Sequence, residues 1–508
     1  MLRHGLSPLP SFYSLDIFTE RTPGPFLLCL APRVTIQYGA NLSNAIHFGT
    51  SGWRGVIADD FTFSGVRQVS RAIAGHLLAH DKHPHVLVGH DTRFFSPEFA
   101  RASAEILRDA GCDVSLAASP TPTPALAFEI CRVKAAGAVN ITASHNPADY
   151  NGVKFSGPDG GPALPEVTKD IEARAARASG DPLTSTHDGP EFKSFDPRDP
   201  YVERLAELVR FDTIRGGGSA FVFDALHGCG AGYLDHALAS HGIPCTMLRA
   251  NRDVLFDGSG PDPSEENLKG LGATVISSGA SAGLATDGDA DRYGILDSDG
   301  SFISPNHILG LLYDYLLESR GVRLDAARSI ATSHLIDAVA ALNGLHIHET
   351  PVGMKYIGAL IPSGKILIGG EESAGLSILH HIPEKDGILA CLLVAEMIAA
   401  RRTPLRDQVK DLFRRVGREF WPVRENIHLS ESAQSRLPSL LGKAPATFAG
   451  HNVARSSLLD GLQLILDDSS WALVRPSGTE PLVRVYTEAA TLEESQRLAS
   501  HAREWIGA

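Results

Sequence analysis

Residues Gly137–Pro147 read GAVNITASHNP. Ala138, Val139 and Ile141 make an apolar, β-branched run that predicts a buried strand. The run ends on Thr142, Ala143, Ser144, His145 and Asn146, and Pro147 blocks direct continuation. A strand end is a rigid mount for a reactive side chain, so Ser144 is a candidate nucleophile. Taken alone, it reads more simply as a strand-end hydrogen bonder. Two other stretches share the form: AGLATDGDADR at 282–292 and KILIGGEESAG at 365–375. In an open parallel sheet, ligands sit beyond the carboxyl ends of the strands. Three copies of one α/β unit would therefore aim three loops at one cleft. Their irregular spacing excludes a short-period solenoid.

Outward from these loops, strands and helices alternate. Val66, Val69, Ile73 and Leu77 mark one face of a helix. A strand at Val86–Val88 follows, ending in Gly89-His90-Asp91-Thr92-Arg93, and Ser96-Pro97 opens a helix with Ser96 as its N-cap. Strands are expected at Asp113–Ala117, Val153–Phe155, Phe221–Asp224, Cys245–Leu248, Tyr293–Leu296, Ser329–Thr332 and Ile366–Ile368. An amphipathic helix is expected over His307–Ser319, and further helices over Leu335–Asn343 and Asp386–Arg401. This alternation predicts β-α-β crossovers and mixed, mostly parallel sheets. From about 416 the pattern becomes strands at 461–466, 471–474 and 482–488 plus a helix from Leu492 to Ile506, a small α+β unit. The expected division is a variable extension at 1–45, α/β domains at 46–195, 196–299 and 300–415, and an α+β domain at 416–508.

With 508 residues the chain needs several cores. No apolar run spans a bilayer. The net charge of −13 argues against a general nucleic-acid binder, and an anionic substrate would need a local cluster of Lys and Arg. The six cysteines (29, 112, 131, 229, 245 and 391) show no CxxC pairing. Reduced core thiols in a cytoplasmic protein are expected, with disulfides as the alternative. The patch Phe26–Leu30 is short for a signal sequence and lacks a clean cleavage site.

The loops carry distinct chemistry. Asp287, Asp289 and Asp291 alternate with Gly288 and Ala290, so three carboxylates can turn toward one hard cation. An EF-hand loop would need Gly at the sixth position and Glu at the twelfth, where this chain has Arg292 and Ser298. A solvated acidic turn remains the plain alternative. Ser144-His145 suggests a serine hydrolase, but no G-x-S-x-G elbow is present, and neighbours on a strand point to opposite faces. A serine near a cation and basic groups suits phosphoryl transfer, with Lys154 as acid–base group. GGEESAG offers acids suited to sugar hydroxyls, or a helix cap at Ser373. RPSGTEP (475–481) and HFGTSGWRG (47–55) offer a guanidinium, hydroxyls and Gly-rich backbone to an anion, or plain turns.

GTSGWRG, TASHNP, DGDADR, GGEESAG and RPSGTEP, in this order, resemble the α-D-phosphohexomutase family, over roughly residues 46–508. The resemblance implies three related α/β domains and a smaller fourth around a central cleft. It implies Ser144 as the phosphorylated serine. Mg²⁺ would be held by Asp287, Asp289, Asp291 and a phosphoserine oxygen, with Arg54, Lys154 and Arg292 around the reacting group. Glu371 and Ser373 would bind sugar hydroxyls, and Arg475, Ser477, Gly478 and Thr479 the second phosphate. Lys355 matches an active-site lysine of phosphoglucomutase-like members, and Lys385 and Arg484 are further candidates. The implied reaction passes phosphate between O1 and O6 of a hexose phosphate through a hexose 1,6-bisphosphate, which also serves as activator. The Glu371-Glu372-Ser373 form is similar to phosphoglucomutases, which favours glucose 1-phosphate. Mannose and glucosamine phosphates are the alternatives, with Leu376 and Met354 standing where other members carry His. A sugar-phosphate phosphatase and a non-catalytic binder are the other readings. Small-molecule hexose phosphates are the expected partners, with no nucleic acid or membrane, and monomer or homodimer left open.

Overall fold

The strand foreseen at Gly137 is the centre of the first of four sheets. The computed structural model describes residues 46–49, 52–177, 191–476 and 482–507. Strands β1 (Trp53–Val56), β2 (His85–His90), β3 (Asp113–Ala117), β4 (Gly137–Ile141), β5 (Tyr150–Ser156) and β6 (Lys193–Phe195) form a sheet in the order β1-β5-β4-β2-β3-β6. β4 runs parallel to β2 and antiparallel to β5, and all its residues are buried. That double burial explains the uninterrupted apolar run. The helix Phe63–Leu78 starts where Thr62 Oγ1 accepts the Gly65 N–H at 3.1 Å. It buries Val66, Val69, Ile73 and Leu77 as the spacing predicts. Each such side chain contributes about 1.5–3 kcal/mol of burial.

The second sheet contains β7 (Phe221–Asp224), β8 (Cys245–Leu248), β9 (Ala282–Thr286), β10 (Tyr293–Asp297) and β11 (Phe302–Ile303), in the order β11-β10-β9-β7-β8. The third contains β12 (Asp325–Ser329), β13 (Ile347–Thr350), β14 (Ile366–Glu371) and β15 (Gly375–Ile378), in the order β13-β12-β14-β15. The fourth is antiparallel: β16 (Trp421–His428), β17 (Thr447–Phe448), β18 (His451–Ser457), β19 (Leu462–Leu466), β20 (Trp471–Pro476) and β21 (Leu482–Ala489). The helix Leu492–Ile506 packs on it, capped by Thr491.

Several expectations need correction. Ser96 is not an N-cap: Phe95, at φ +58°, occupies that position, and Ser96 Oγ donates to Asp91 Oδ1 at 2.6 Å. The strand expected at Ser329–Thr332 lies at Asp325–Ser329, because Arg328 is buried against Asp337 and Glu349 rather than exposed. The helix Pro305–Arg320 is not amphipathic: Asn306 to Leu316 are all buried. It shares one core with the helix Gly387–Arg401 and strands of the second sheet. Among the described residues, no helix is long and apolar enough to cross a membrane, and Cys112, Cys131, Cys229, Cys245 and Cys391 are free thiols.

Candidate active site

β4 stops at Ile141, and Thr142 caps the exit by accepting the Ser144 N–H on Oγ1 at 2.9 Å. Ser144 turns into the left-handed region at φ +54°. Its side chain, almost wholly buried, donates to Asp287 Oδ2 at 2.6 Å. The strand alternation used to separate Ser144 from His145 therefore does not apply. Nδ1 of His145 lies 3.3 Å from Ser144 Oγ. Burial, with Arg292 and Arg54 nearby, holds His145 well below the usual imidazole range, so it stands neutral beside the serine.

The DGDADR turn follows β9 and returns through β10. Its N–H and C=O groups close on themselves: Arg292 N–H donates to Asp287 Oδ1 at 3.0 Å, and Ala290 N–H to the Asp287 carbonyl. At Gly288 the loop passes so close to the serine loop that a Cβ would sit 2.6 Å from the Ser144 carbonyl oxygen. At Gly387 a Cβ would meet the Arg292 carbonyl at 2.2 Å, so the helix Gly387–Arg401 abuts the same turn. Thr123 fixes the middle acid, donating its N–H to the Asp289 carbonyl at 2.9 Å and its hydroxyl to Asp289 Oδ2 at 2.5 Å. Asn140, on β4, donates in turn to Thr123 Oγ1 at 2.9 Å.

The three aspartates are buried, and one oxygen from each lies within 4.8 Å of the others. Asp289 Oδ1 and Asp291 Oδ1 are buried with no hydrogen-bond partner among the described residues. Buried carboxylate oxygens left unpaired are costly, and a hard cation on these oxygens would relieve them. The donor set fits a divalent metal.

Cations surround the acids. Lys154 Nζ lies 2.6 Å from Asp289 Oδ2 and 2.7 Å from Asp291 Oδ2, and Lys385 Nζ 2.9 Å from Asp291 Oδ2. Burial works against the charge on Lys154, but Asp289 and Asp291 outweigh it, so the ammonium is held above its ordinary range. Burial likewise opposes charge on Asp291, and Lys154, Lys385 and Arg292 hold it well below the usual carboxylate range. Arg54 donates to Asn146 Oδ1 at 2.5 Å, and burial and Arg292 bring its guanidinium down to about 10. Lys154, Lys355 and Lys385 line one cleft with Glu384 and Met354. The local basic cluster required by the acidic net charge is thus present.

Glu371 ends β14, buried, with Oε1 accepting the Gly353 N–H at 2.7 Å. Ser373 sits half-buried in the turn before β15. Burial, then Glu372, push the Glu371 carboxyl up to about 7. A carboxyl raised above its unfolded value of 4.5 destabilises the fold when it ionises. The penalty is absent below pH 4.5 and complete above about 7. Glu371→Gln should therefore flatten the decline of stability across that window by about 3 kcal/mol. Urea midpoints of both proteins from pH 4.5 to 8 check this, and parallel pH profiles would refute it.

Arg475, on β20, donates from Nε to Asp460 Oδ2 at 2.9 Å, and the same oxygen accepts the Val352 N–H at 3.0 Å. Asp460 thereby ties the Lys355 loop to the fourth sheet, a role with no local signal in its Asp460-Gly461 turn. Burial, then Arg475, lower Lys355 from its ordinary value. Arg484 pairs in register with Arg475. Ser477, Gly478 and Thr479 lie outside the described residues, as do Thr50 and Ser51. Sequence reading also missed Thr123, Asn146 and Arg93. Of these Asn146 carried a signal in the TASHNP stretch, and Arg93 a hint in its place just past the carboxyl end of β2.

Family descriptions of phosphoglucomutase/phosphomannomutase match in four pieces: alpha/beta/alpha domain I at 45–180, domain II at 199–300, domain III at 304–416, and the C-terminal domain at 436–504. A phosphoglucomutase/phosphomannomutase of Thermococcus kodakarensis is 30% identical over 88% of this chain and 96% of its own length. A phosphoglucosamine mutase of Thermobifida fusca is 30% identical over 89% and 96%. A crystal structure from Thermus thermophilus, of a protein carried under a provisional phosphomannomutase name, superposes with TM-score 0.81 and 34% identity. That match covers 92% of this chain and 100% of that one. With four matching domains in order and relatives aligned over nearly their full length, the chain belongs to the phosphoglucomutase/phosphomannomutase family.

Proposed function

We propose that this chain, a phosphohexomutase by family, moves a phosphoryl group between O1 and O6 of a hexose phosphate. Glucose 1-phosphate to glucose 6-phosphate is the favoured direction of reading, with a phosphoserine at Ser144 and a hexose 1,6-bisphosphate as intermediate and activator. The observation that carries it is a buried serine hydroxyl on Asp287, in an acid cluster whose charges Arg54, Lys154, Arg292 and Lys385 offset. Asp287, Asp289, Asp291 and Ser144 would hold Mg²⁺, which supplies charge neutralisation to phosphoryl oxygens when bound.

The chain's own residues do the rest. Phosphorylated Ser144 presents its phosphoryl group to the free hydroxyl of the sugar. The P–Oγ bond breaks as the P–O bond to the sugar forms, and the hydroxyl proton leaves to a neighbouring base. Lys154, held protonated, is the acid partner for Ser144 Oγ, and Arg54 and Arg292 neutralise the transferring group. Arg475 grips the other phosphate, joined in the family resemblance by Ser477, Gly478 and Thr479, and Lys355, whose charge feels that of Arg475, adds to the grip. Glu371 and Ser373 take the ring hydroxyls. The bisphosphate then reverses its ends and returns its other phosphate to Ser144.

The Glu371-Glu372-Ser373 sequence favours glucose, and the names of the relatives leave mannose and glucosamine phosphates as alternatives. The four-part division belongs to this reading, with the second part extended to Ile303 because β11 pairs with β10. Free thiols support a cytoplasmic setting. The test is incubation of the protein with glucose 1-phosphate, Mg²⁺ and catalytic glucose 1,6-bisphosphate. Glucose 6-phosphate should accumulate without inorganic phosphate, and kcat/KM should exceed that for mannose and glucosamine 1-phosphates. Stoichiometric phosphate release would replace the mutase with a phosphatase.

A further inference from the structure

We infer that Arg93 is the positioning residue of Ser144, holding the nucleophile loop in its working shape without touching the reacting atoms. The inference rests on Ser144 being the nucleophile.

Arg93 stands just past β2, and its side chain is fully buried. A guanidinium has five N–H donors in a rigid fork. Here all five are spent. Nη2 donates to the carbonyl oxygens of Ser144 and Asn146, both at 2.6 Å. Nη1 donates to those of Pro147 at 2.6 Å and Tyr150 at 3.1 Å. Nε donates to Asp91 Oδ2 at 3.1 Å. One planar group thus gathers three carbonyls of the turn that carries Ser144 and a fourth at the start of β5.

The anchor is itself anchored. Asp91 accepts the Arg93 N–H at 2.9 Å and the Ser96 hydroxyl, and its own N–H donates to the Ile141 carbonyl at the end of β4. From the second sheet's side, Arg252 donates to the carbonyls of Thr92 and Arg93 at 2.8 and 2.9 Å, and the Phe256 ring lies 5.1 Å from the guanidinium carbon. The loop between β8 and β9 therefore braces the residue that shapes the serine loop.

The need for such a clamp follows from the backbone. Serine rarely adopts φ +54°. Such a conformation persists where the surroundings over-determine it. Thr142 takes the N–H of Ser144, and Arg93 takes its C=O, so both flanking peptides are fixed. The outcome is Oγ placed 2.6 Å from Asp287 Oδ2. Lysine keeps the charge at this position but has three donors and no planar fork.

The test compares Arg93→Lys, Arg93→Ala and Arg252→Ala with the unaltered protein. It reads kcat and KM for glucose 1-phosphate, each normalised to folded protein by circular dichroism, and the rate at which glucose 1,6-bisphosphate phosphorylates Ser144, by intact mass. R93K should lose about 10²-fold in kcat, the scale of a small misplacement of a reacting group, with KM within about twofold. Ser144 phosphorylation should slow in parallel, and amide exchange should quicken in peptides spanning 142–150. R252A should shift the same readouts less, in the same direction. If R93A fails to fold, R93K and R252A decide the matter. A wild-type kcat in R93K, or a loss accounted for by its unfolded fraction, would overturn the inference. A fully active Ser144→Ala would instead remove the nucleophile reading beneath it, whereas an inactive Ser144→Ala with a normal R93K would remove the positioning role alone.

Discussion

Ser144→Ala should abolish mutase turnover, lowering kcat by about 10⁴-fold or more, the scale of removing a covalent nucleophile. The substitution deletes one oxygen. It removes the hydrogen bond to Asp287 Oδ2 and leaves that buried oxygen without its donor, at a cost of about 1–3 kcal/mol. The clamp on the loop is made of backbone carbonyls and does not change. The variant should therefore fold, with a modest fall in melting temperature, and should still bind glucose 6-phosphate through groups remote from Ser144. Intact mass after exposure to glucose 1,6-bisphosphate should show no added phosphoryl group, against one in the unaltered protein. Water in place of the hydroxyl would release phosphate rather than isomerise the sugar. Mutase activity above about a tenth of wild type would end the assignment of Ser144 as nucleophile.

How much of this was legible depends on whether a residue's partner lies in its own sequence neighbourhood. Asp113–Ala117, Phe221–Asp224 and Cys245–Leu248 read correctly as strands because each is a short apolar run between turn residues. β12 was displaced because Arg328 in its middle is neutralised by Asp337 and Glu349, a pairing no local pattern reveals. β16 and β18 were missed because nearly all their side chains are at least partly exposed, and their few apolar residues are broken up by charged and polar ones rather than forming a continuous run. The helix at Pro305–Arg320 looked half-polar. Yet its Asp314 is buried against Arg401 and Arg415, and its His307 shares a hydrogen bond with the Phe420 carbonyl.

The site divides along the same line. Alternating carboxylates, a hydroxyl at a strand end and Gly-rich loops announce their chemistry by type and spacing, so the residues of the cluster were nameable in advance. Their support was not. Thr123 on Asp289, Asp460 between Val352 and Arg475, and Arg93 on four carbonyls act across gaps of 166, 108, 15 and up to 57 residues. Functional side chains carry their chemistry with them, whereas the groups that aim them are defined by the fold. The Ser144–His145 contact makes the point in reverse, since the strand alternation that would separate them ends three residues early, at Ile141.

Asp289→Asn should disable the same centre by a different route. Asparagine keeps the shape, the Thr123 contact and the loop, but removes one negative charge from a cluster whose buried Asp289 Oδ1 and Asp291 Oδ1 have no hydrogen-bond partner among the described residues. The direct readout is binding rather than rate. Protein stripped with EDTA and returned to Mg²⁺ at a hundred times its Kd should gain about 2.7 kcal/mol of stability, and the Asn variant should gain far less at the same concentration. Calorimetric titration of stripped protein measures the affinity independently of any substrate. Turnover should follow, falling about 10³-fold because several kcal/mol of charge neutralisation on the transferring group is lost. Chelation of the unaltered protein should reproduce that fall, and added Mg²⁺ should reverse it. A stripped wild-type protein whose stability ignores Mg²⁺ would refute the triad as its site, as would an Asn variant that responds like wild type. In either case Lys154 and Lys385, which already touch Asp289 and Asp291, would be the permanent counter-charges of the cluster. The two oxygens without a hydrogen bond would then need a different explanation, because two ammonium groups leave those two lone-pair positions unmet.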